Sequence, residues 1–333
     1  ICLFSVLITM KKFLLKVTAY LLILSTITVG INVGYQKLDR RRDSYRARFQ
    51  SMPEQIQICN FGSSHGQDAF LYRILGQKYS CFNFGASSQK LSYDERLMDY
   101  YQDHIQEGGV VFVDVSYFSF FGKPEVERDD FDSKNKRYYY VLDKAHIKNY
   151  SAKVNFLLNV MPALDAGSDL LKVYLRKEIV PEETDESCRT TNAEEAAEHG
   201  KRRISYHGLA DQKDSLDINR EEVDALYSIL RRCKQKNWKP ILISTPLLPE
   251  YWREAQSQGS EHLKVFYSIV NQAAIEMNIP YYDYSTDERF ANRYDLFMNT
   301  DHLNRYGADE FEKILCKEVL PDFLREESFD TIS

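Results

Sequence analysis

The 333-residue chain lacks the patterns that several classes of functional site require. Its six cysteines include no C-x-x-C pair and no Cys/His cluster with metal-ligand spacing, so no metal and no cofactor are expected. No basic stripe is interleaved with aromatic residues and the formal net charge is −6, which argues against a nucleic acid partner. The glycine-serine turn at residues 62–66 has no G-K-[ST] continuation, and Asp68 would repel phosphate, so a phosphate cradle is the weakest hypothesis for that turn.

Charge is also missing from residues 17–36, a run of 20 residues that is about long enough to cross a hydrocarbon core. No A-x-A-like cleavage site follows this run. We therefore expect an uncleaved membrane anchor over residues 1–36 rather than a removed signal peptide. Residues 1–9 precede Met10 and are interpreted as upstream translation.

Basic residues flank the uncharged run on both sides. Three lysines precede it, and six lysine and arginine residues follow it within a charged linker, residues 37–54. Taken alone, the positive-inside rule would keep the large domain in the cytoplasm, whereas lysines before an apolar run also mark an anchor whose N-terminus is inside. The residues themselves leave both orientations open.

Five short apolar segments alternate with stretches of helical periodicity. The segments predicted as strands are residues 55–61, 79–84, 110–115, 240–245 and 279–284. This alternation predicts a three-layer α/β/α sandwich with a five-stranded parallel, flavodoxin-like sheet, in addition to the N-terminal transmembrane helix. The domain is expected over residues 55–325, with an irregular insertion at residues 116–215 and a tail at residues 326–333.

The spacing of apolar residues between the strands predicts helices. Expected helical stretches are residues 67–78, 93–107 and 261–278, with a further helix that opens at Gly307. Gly108 and Gly109 are expected to stop the second of these helices, and Asn219 with Glu222 to form a capping box.

Ser64 follows the first predicted strand in a glycine-serine turn, where a serine is exposed, fixed in direction and close to backbone N–H groups. Those are the requirements of a nucleophile. His302, after the last strand, is the best candidate base because the carboxyl ends of parallel strands share one edge of the sheet. Asp301, Asp295 and Asn299 are alternative residues for orienting His302, with Asp301 favoured.

An acyl-transfer site also needs donors for the oxyanion that forms on the substrate. The backbone N–H groups of Ser64 and Gly85 are the candidates, since glycine permits a close approach. Asn83 or Ser116 could add a side-chain donor, although both also fit as ordinary polar residues at strand ends. His65 adjoins the nucleophile and could line the substrate pocket.

The turn at residues 62–66 formally fits G-x-S-x-G, but an α/β-hydrolase would place the elbow after several strands and its acid and histidine on separate loops. The order here resembles the SGNH (GDSL-like) hydrolases instead. Gly62-Ser63-Ser64 matches that family's G-D-S element with Ser for Asp, Asn83-Phe84-Gly85 matches its glycine block, and Asp301-His302-Leu303-Asn304 with Gly307 looks like its final block.

Two residues depart from the family pattern. Asn299 stands where the family's D-x-x-H element has its acid, so a Ser–His dyad or a triad with Asp301 is implied. Ser116 stands after the third strand, where the family has an asparagine that donates to the oxyanion.

The likeness is to a membrane-anchored branch that includes the teichoic acid D-alanyl-transfer and alginate O-acetylation proteins. It implies a serine esterase or O-acyltransferase with an extracytoplasmic domain that acts on acyl esters of cell-envelope polysaccharide. The implied partners are an acylated polysaccharide or small acyl ester, the membrane, and a membrane acyltransferase. The alternative is a non-catalytic envelope protein that binds glycan or such an acyltransferase, which the two departures favour.

Overall fold

The computed structural model describes residues 2–38, 43–166, 188–207, 209 and 216–324. The chain divides into two compact units. We call residues 1–51 with 135–183 the helical unit, and residues 52–134 with 184–333 the sheet unit.

The sheet unit is built on five parallel strands. They are β1 Ile56–Phe61, β2 Cys81–Asn83, β3 Ile105–Asp114, β4 Lys239–Ser244 and β5 Tyr281–Asp283. The strand order is β2-β1-β3-β4-β5, and all four neighbouring pairs are parallel. This is the flavodoxin-like order of doubly wound folds, in which ligands bind beyond the carboxyl ends of the strands. The predicted α/β fold class with a five-stranded parallel sheet is confirmed.

The three central strands, β1, β3 and β4, are largely buried because their apolar runs are nearly continuous. Val110, Phe112 and Ile241 are fully buried in one hydrophobic core that includes Phe311. Such runs are typical of parallel strands that are covered on both faces.

The part of the chain that the structure describes contains twelve α-helices. They are α1 Cys2–Leu38, α2 Asp43–Gln50, α3 Ser64–Ala69, α4 Leu91–Tyr101, α5 Phe131–Asn135, α6 Ala152–Asn155, α7 Pro162–Asp165, α8 Ala193–Tyr206, α9 Arg220–Gln235, α10 Pro249–Gln258, α11 Ser260–Met277 and α12 Arg305–Glu318.

The helix predicted over residues 67–78 is wrong beyond Ala69, where α3 ends. The buried carboxylate of Glu312, on α12, accepts hydrogen bonds from the backbone N–H groups of Arg73, Ile74 and Leu75 at 3.2, 2.9 and 3.2 Å. These are the groups that a continuing α3 would bond to its own carbonyls. The carboxylate of Glu312 therefore serves as the acceptor that the carbonyls of a longer α3 would otherwise provide.

Gly108 and Gly109 do not stop a helix, contrary to the prediction. Helix α4 ends at Tyr101, and both glycines lie inside β3. The β1–β3 pairing shifts its register there, and Gly108 has a φ of +76°. Glycine adopts that conformation without steric cost, so it accommodates an irregularity in the strand.

The predicted capping box is half formed. Asn219 accepts the N–H of Glu221 at 3.1 Å and so caps α9. The carboxylate of Glu222 is fully buried and instead accepts the N–H and hydroxyl of Ser92 at 3.0 and 2.9 Å. This residue therefore joins α9 to α4 rather than completing the cap.

The helical unit contains α1, whose residues Met10–Gln36 are long and apolar enough to cross a membrane, with a mean hydropathy of 1.9. Near the end of that span, Asn32 and Tyr35 are buried. Tyr35 packs with Ala163 and Ala166 of the same unit.

Candidate active site

Ser64 is the first residue of α3 and follows the end of β1 after only two residues. Ser63 caps the helix, because its side chain accepts the N–H of His65 at 3.2 Å. Gly62 has a φ of +146°, and a Cβ there would lie 2.5 Å from the Cβ of Asp114. The tight turn therefore requires glycine, and it presents Ser64 at the carboxyl edge of the sheet.

Two buried acids hold this turn in place. Asp114, the last residue of β3, accepts hydrogen bonds from the Ser63 hydroxyl at 3.3 Å and the Gly66 N–H at 3.2 Å. Asp94 on α4 accepts the N–H of Gly62 at 3.1 Å. Burial raises the pKa of Asp114 to about 7 and the pKa of Asp94 well above its ordinary value.

The Oγ of Ser64 lies 2.8 Å from Nε2 of His302, which is hydrogen-bond distance. His302 lies in a tight loop in which Met298 donates its N–H to the His302 carbonyl at 2.9 Å. Phe297 and Leu303 form a β-bridge across the same loop. The loop therefore holds the imidazole in position against Ser64.

Two side chains face the other ring nitrogen of His302. Its Nδ1 lies 3.0 Å from Oδ1 of Asn299 and 3.1 Å from Oδ1 of Asp301. The Asn299 oxygen also accepts the backbone N–H groups of Asp301 and His302 at 3.1 and 3.0 Å. Asp295, the third alternative, pairs with Arg293 at 2.7 Å instead. Asn299 thus shapes the loop, and Asp301 brings the negative charge to His302.

Asp301 is a buried carboxylate with several partners. Its Oδ2 lies 3.2 Å from Nε2 of His65 and 2.8 Å from both Nε and Nη2 of Arg203. Burial alone would raise the pKa of Asp301, but the charge of His302 and the bonds from His302, His65 and Arg203 hold it well below its ordinary value. Asp301 is therefore ionised at neutral pH.

The pKa values of the two histidines on Asp301 shift in opposite directions. Burial works against a charge on His302, but the adjacent Asp301 carboxylate raises the pKa of His302 above 6.5. Burial lowers the pKa of His65 to about 4, so His65 is neutral at pH 7. A carboxylate only accepts, so His65 donates from Nε2 to Asp301, and its Nδ1 accepts the hydroxyl of Ser116 at 2.9 Å.

The structure gives Gly85 and Asn83 other partners than an oxyanion. The N–H of Gly85 donates to Oδ1 of Asn83 at 2.8 Å. The Asn83 amide nitrogen donates to the carbonyls of Gln67 and Phe70 at 2.9 and 2.7 Å. These bonds fasten the turn after β2 to α3. The N–H of Ser64 lies in the first turn of α3, where such groups have no partner within the helix.

Ser116 and His65 lie away from the open cleft in front of Ser64. The hydroxyl of Ser116 is engaged by His65, and its N–H donates to Oγ of Ser119 at 2.9 Å. His65 is 3% exposed and lies behind the Ser64–His302 pair. The structure thus brings together Ser64, His302 and Asp301. It places His65 in contact with Asp301, and Ser116 in contact with His65, rather than with the cleft.

The cleft in front of Ser64 and His302 has a volume of about 580 Å³. Both polar and aromatic side chains line it, and the charged ones are Lys90, Lys123, Glu127, Arg128, Asp129, Asp130, Lys134 and Arg203. A cleft with so many polar groups suits a polar ligand better than an apolar chain.

The sequence reasoning did not identify Arg203, Asp114 or Asp94. Arg203 lies on α8, inside the region that was expected to be an irregular insertion, and no motif marks it. Asp114 did carry a signal, because it is an acid at the end of a continuously apolar strand. A buried acid at that edge of a sheet needs hydrogen-bond partners, and the turn at Ser64 supplies them.

The side chains of His65, Asp301 and His302 could together hold a metal ion, since their ligand atoms lie within 4.8 Å of one another. Arg203 already binds the Asp301 oxygen at 2.8 Å, and Nε2 of His302 already contacts Ser64. A cation would have to compete with the guanidinium for that oxygen. The donor set therefore fits a hydrogen-bonded network better than a metal centre.

The fold and the site together define an α/β protein with a serine–histidine pair at the carboxyl edge of a parallel sheet. No protein-family model and no curated protein matches the chain.

Solved structures with a remote likeness exist. One, from Streptococcus pneumoniae and provisionally described as a platelet activating factor, is 11% identical with a TM-score of 0.38, over 90% of this chain and 97% of that chain. Another, from Bacteroides fragilis and provisionally described as an acylhydrolase, is 10% identical with a TM-score of 0.40. This likeness covers 85% of this chain and 97% of that chain. Likenesses this remote define neither a family nor an activity for the chain.

Proposed function

We propose that the protein is a serine esterase or O-acyltransferase of the SGNH type. The observation that carries this proposal is the 2.8 Å contact between Oγ of Ser64 and Nε2 of His302, with Nδ1 of His302 facing the ionised Asp301. A serine, a base of raised pKa and a buried acid in this order form the arrangement that activates a hydroxyl as a nucleophile.

In the proposed reaction, His302 removes the hydroxyl proton of Ser64 as Oγ attacks the acyl carbonyl. The tetrahedral intermediate expels the alcohol, which takes the proton from His302, and the acyl group stays on Ser64. Water or an acceptor hydroxyl then attacks the acyl-enzyme with His302 again as base. The bond between Oγ of Ser64 and the acyl group breaks, Oγ takes the proton back from His302, and the free acid or the new ester leaves. Asp301 stabilises the imidazolium that forms in both halves of the reaction.

We propose that the oxyanion is held by the N–H groups of Ser64 and Gly85. The Gly85 N–H would exchange its present acceptor, Oδ1 of Asn83, for the substrate oxygen. The hydroxyl of Ser116 faces His65. We therefore assign Ser116 a role through His65 rather than a direct contact with the oxyanion.

We further propose that α1 anchors the protein, that the catalytic unit is extracytoplasmic, and that the substrate is an acyl ester of cell-envelope polysaccharide. The length and apolar character of residues Met10–Gln36 support the anchor. The resemblance of the sequence blocks supports the substrate class, and the polar cleft is compatible with a glycan.

The second candidate is a non-catalytic protein that binds glycan or a partner acyltransferase through the same cleft. The bond from the Gly85 N–H to Asn83 favours it, because that bond withdraws one oxyanion donor. Glycan binding that survives Ser64→Ala, without any covalent labelling of the parent, would support this candidate.

The deciding experiment is labelling of the purified full-length chain with a fluorophosphonate probe. We expect the parent to be labelled on Ser64 and Ser64→Ala to lose the label and the ester hydrolysis together. Ser87→Ala is the matched control, since Ser87 lines the same cleft. Equal labelling of the parent and Ser64→Ala would falsify the assignment.

The side of the membrane is tested separately. A probe that cannot cross membranes, applied to intact cells, reports the side on which Ser64 lies.

A further inference from the structure

A short segment of the helical unit packs against the end of α1. It comprises α6, a π-helical turn at Phe156–Val160 and α7, and we call residues 152–166 the ridge segment. The Asn32 side chain of α1 donates to the carbonyl of Val160 at 2.9 Å and accepts the N–H of Ala163 at 3.1 Å. Asn32 is buried, so this amide fixes the segment to α1.

The ridge segment contains both packed side chains and exposed apolar side chains. Leu158 is buried, and Asn159 donates to the carbonyl of Tyr139 at 2.9 Å. Phe156, Val160 and Leu164, which follow one another at intervals of four residues, are 48%, 51% and 57% exposed. Three large, exposed apolar side chains within nine residues mark a surface that has a partner.

The position of the segment along α1 indicates which partner. Asn32 lies four residues before the end of the apolar span Met10–Gln36, about 6 Å along the helix axis at 1.5 Å per residue. The neighbouring Val29, Ile31 and Val33 of α1 are also exposed. The exposed apolar residues of the segment are thus joined to α1 near the end of its apolar span, which in a membrane anchor lies close to the lipid headgroups.

We propose that the ridge segment lies in the membrane interface beside α1, with Phe156, Val160 and Leu164 inserted among the acyl chains. The inference rests on the proposed anchoring by α1. An amphipathic segment in this position is held by burial of its apolar face in the boundary between headgroups and acyl chains. The protein then contacts the bilayer through two elements, the spanning helix and this flat segment.

The test uses the full chain in phosphatidylcholine vesicles with or without brominated acyl chains, which quench tryptophan on contact. Phe156→Trp and Leu164→Trp are compared with the parent, whose native tryptophans supply the background. Ile275→Trp is the matched control, because Ile275 is an apolar residue of the sheet unit that is even more exposed, at 79%. We expect loss of most of the added emission at positions 156 and 164 and no loss at position 275.

Flotation of the parent with the vesicles distinguishes failure of the proposed α1 anchor from failure of the proposed membrane contact of the ridge segment. If the parent floats but the added tryptophans keep their emission, the ridge proposal is wrong while the anchor stands. If the parent does not float, both are overturned. Equal quenching at position 275 would show that the contact is not particular to the ridge segment, and it would also overturn the proposal.

Discussion

The Nε2 atom of His65 lies 3.2 Å from Oδ2 of Asp301, the carboxylate oxygen that His302 does not contact. One buried carboxylate thus lies between two imidazoles. Burial lowers the pKa of His65 to about 4, so His65 stays neutral at pH 7. For the proposed reaction we therefore assign the proton transfer to His302, and we assign His65 the role of a positioning residue that fixes the direction of Asp301.

His65→Phe should reduce kcat for a nitrophenyl ester about tenfold with little change in KM, because a hydrogen bond to a charged group stabilises by about 1.5 kcal/mol. His65→Gln keeps an N–H that can reach Asp301 and should recover most of the rate. A His65→Phe enzyme with the parent's kcat would show that Asp301 needs no such support.

Asp301→Asn should move the acid limb of the kcat/KM profile to lower pH. The carboxylate raises the pKa of His302 above 6.5, so removing its charge lowers that pKa and leaves His302 deprotonated at more acidic pH. The plateau should fall by about 100-fold or more, since the imidazolium loses its counter-charge. The profile is measured from pH 4 to 9. An acid limb that does not move would exclude Asp301 as the partner of His302.

Arg203→Gln should move the same limb in the opposite direction. The guanidinium charge lowers the pKa of His302, so its removal raises that pKa, and activity appears only at higher pH. Arg202→Gln is the matched control, since Arg202 lies on the same helix but pairs with Glu198 on the surface. A shift of equal size in the control would trace the effect to net charge rather than to contact with Asp301.

Glu312→Ala should lower the free energy of unfolding by about 3 kcal/mol, because three backbone N–H groups, of which that of Leu75 is buried, lose their acceptor. Glu310→Ala, on the exposed face of the same helix, should change it by less than about 1 kcal/mol. Urea unfolding of both variants compares the two effects. Equal stabilities would mean that another group accepts these bonds.

Asp114→Asn should change how stability depends on pH. Burial raises the pKa of Asp114 from 3.8 to about 7, so the folded carboxyl keeps its proton in a window where the unfolded one has lost it. The parent therefore loses stability as pH rises from about 4 to 7, by about 3 kcal/mol in total. In urea unfolding, the difference in free energy of unfolding between parent and variant should change over this same pH range. A difference that is constant across the window would contradict the raised pKa.

Much of the fold could be predicted from the sequence, because the central strands have continuous apolar runs that have no other stable placement. The apolar run of β3 shows this most clearly, since residues 110–114 are all buried. The proximity of Ser64 and His302 follows from the same topology. Ser64 comes directly after β1, and His302 lies in the loop that follows β5. Parallel strands then place both residues at one edge.

The parts that could not be predicted depend on contacts between distant residues. The carboxylate of Glu312 ends α3 early, although the local pattern of residues 67–78 is helical. Arg203 reaches Asp301 from α8, across 98 positions of sequence. Local periodicity contains no information about either contact, because each arises only when separate elements pack together.

The 238 positions that separate Ser64 from His302 have a consequence for the chain during its synthesis. The serine emerges with the first strand and helix, whereas its base follows in the last loop of the sheet unit. In terms of the proposed reaction, a nascent or interrupted chain therefore carries Ser64 without the base that would deprotonate it. We expect reactivity toward esters only after the loop of His302 has docked.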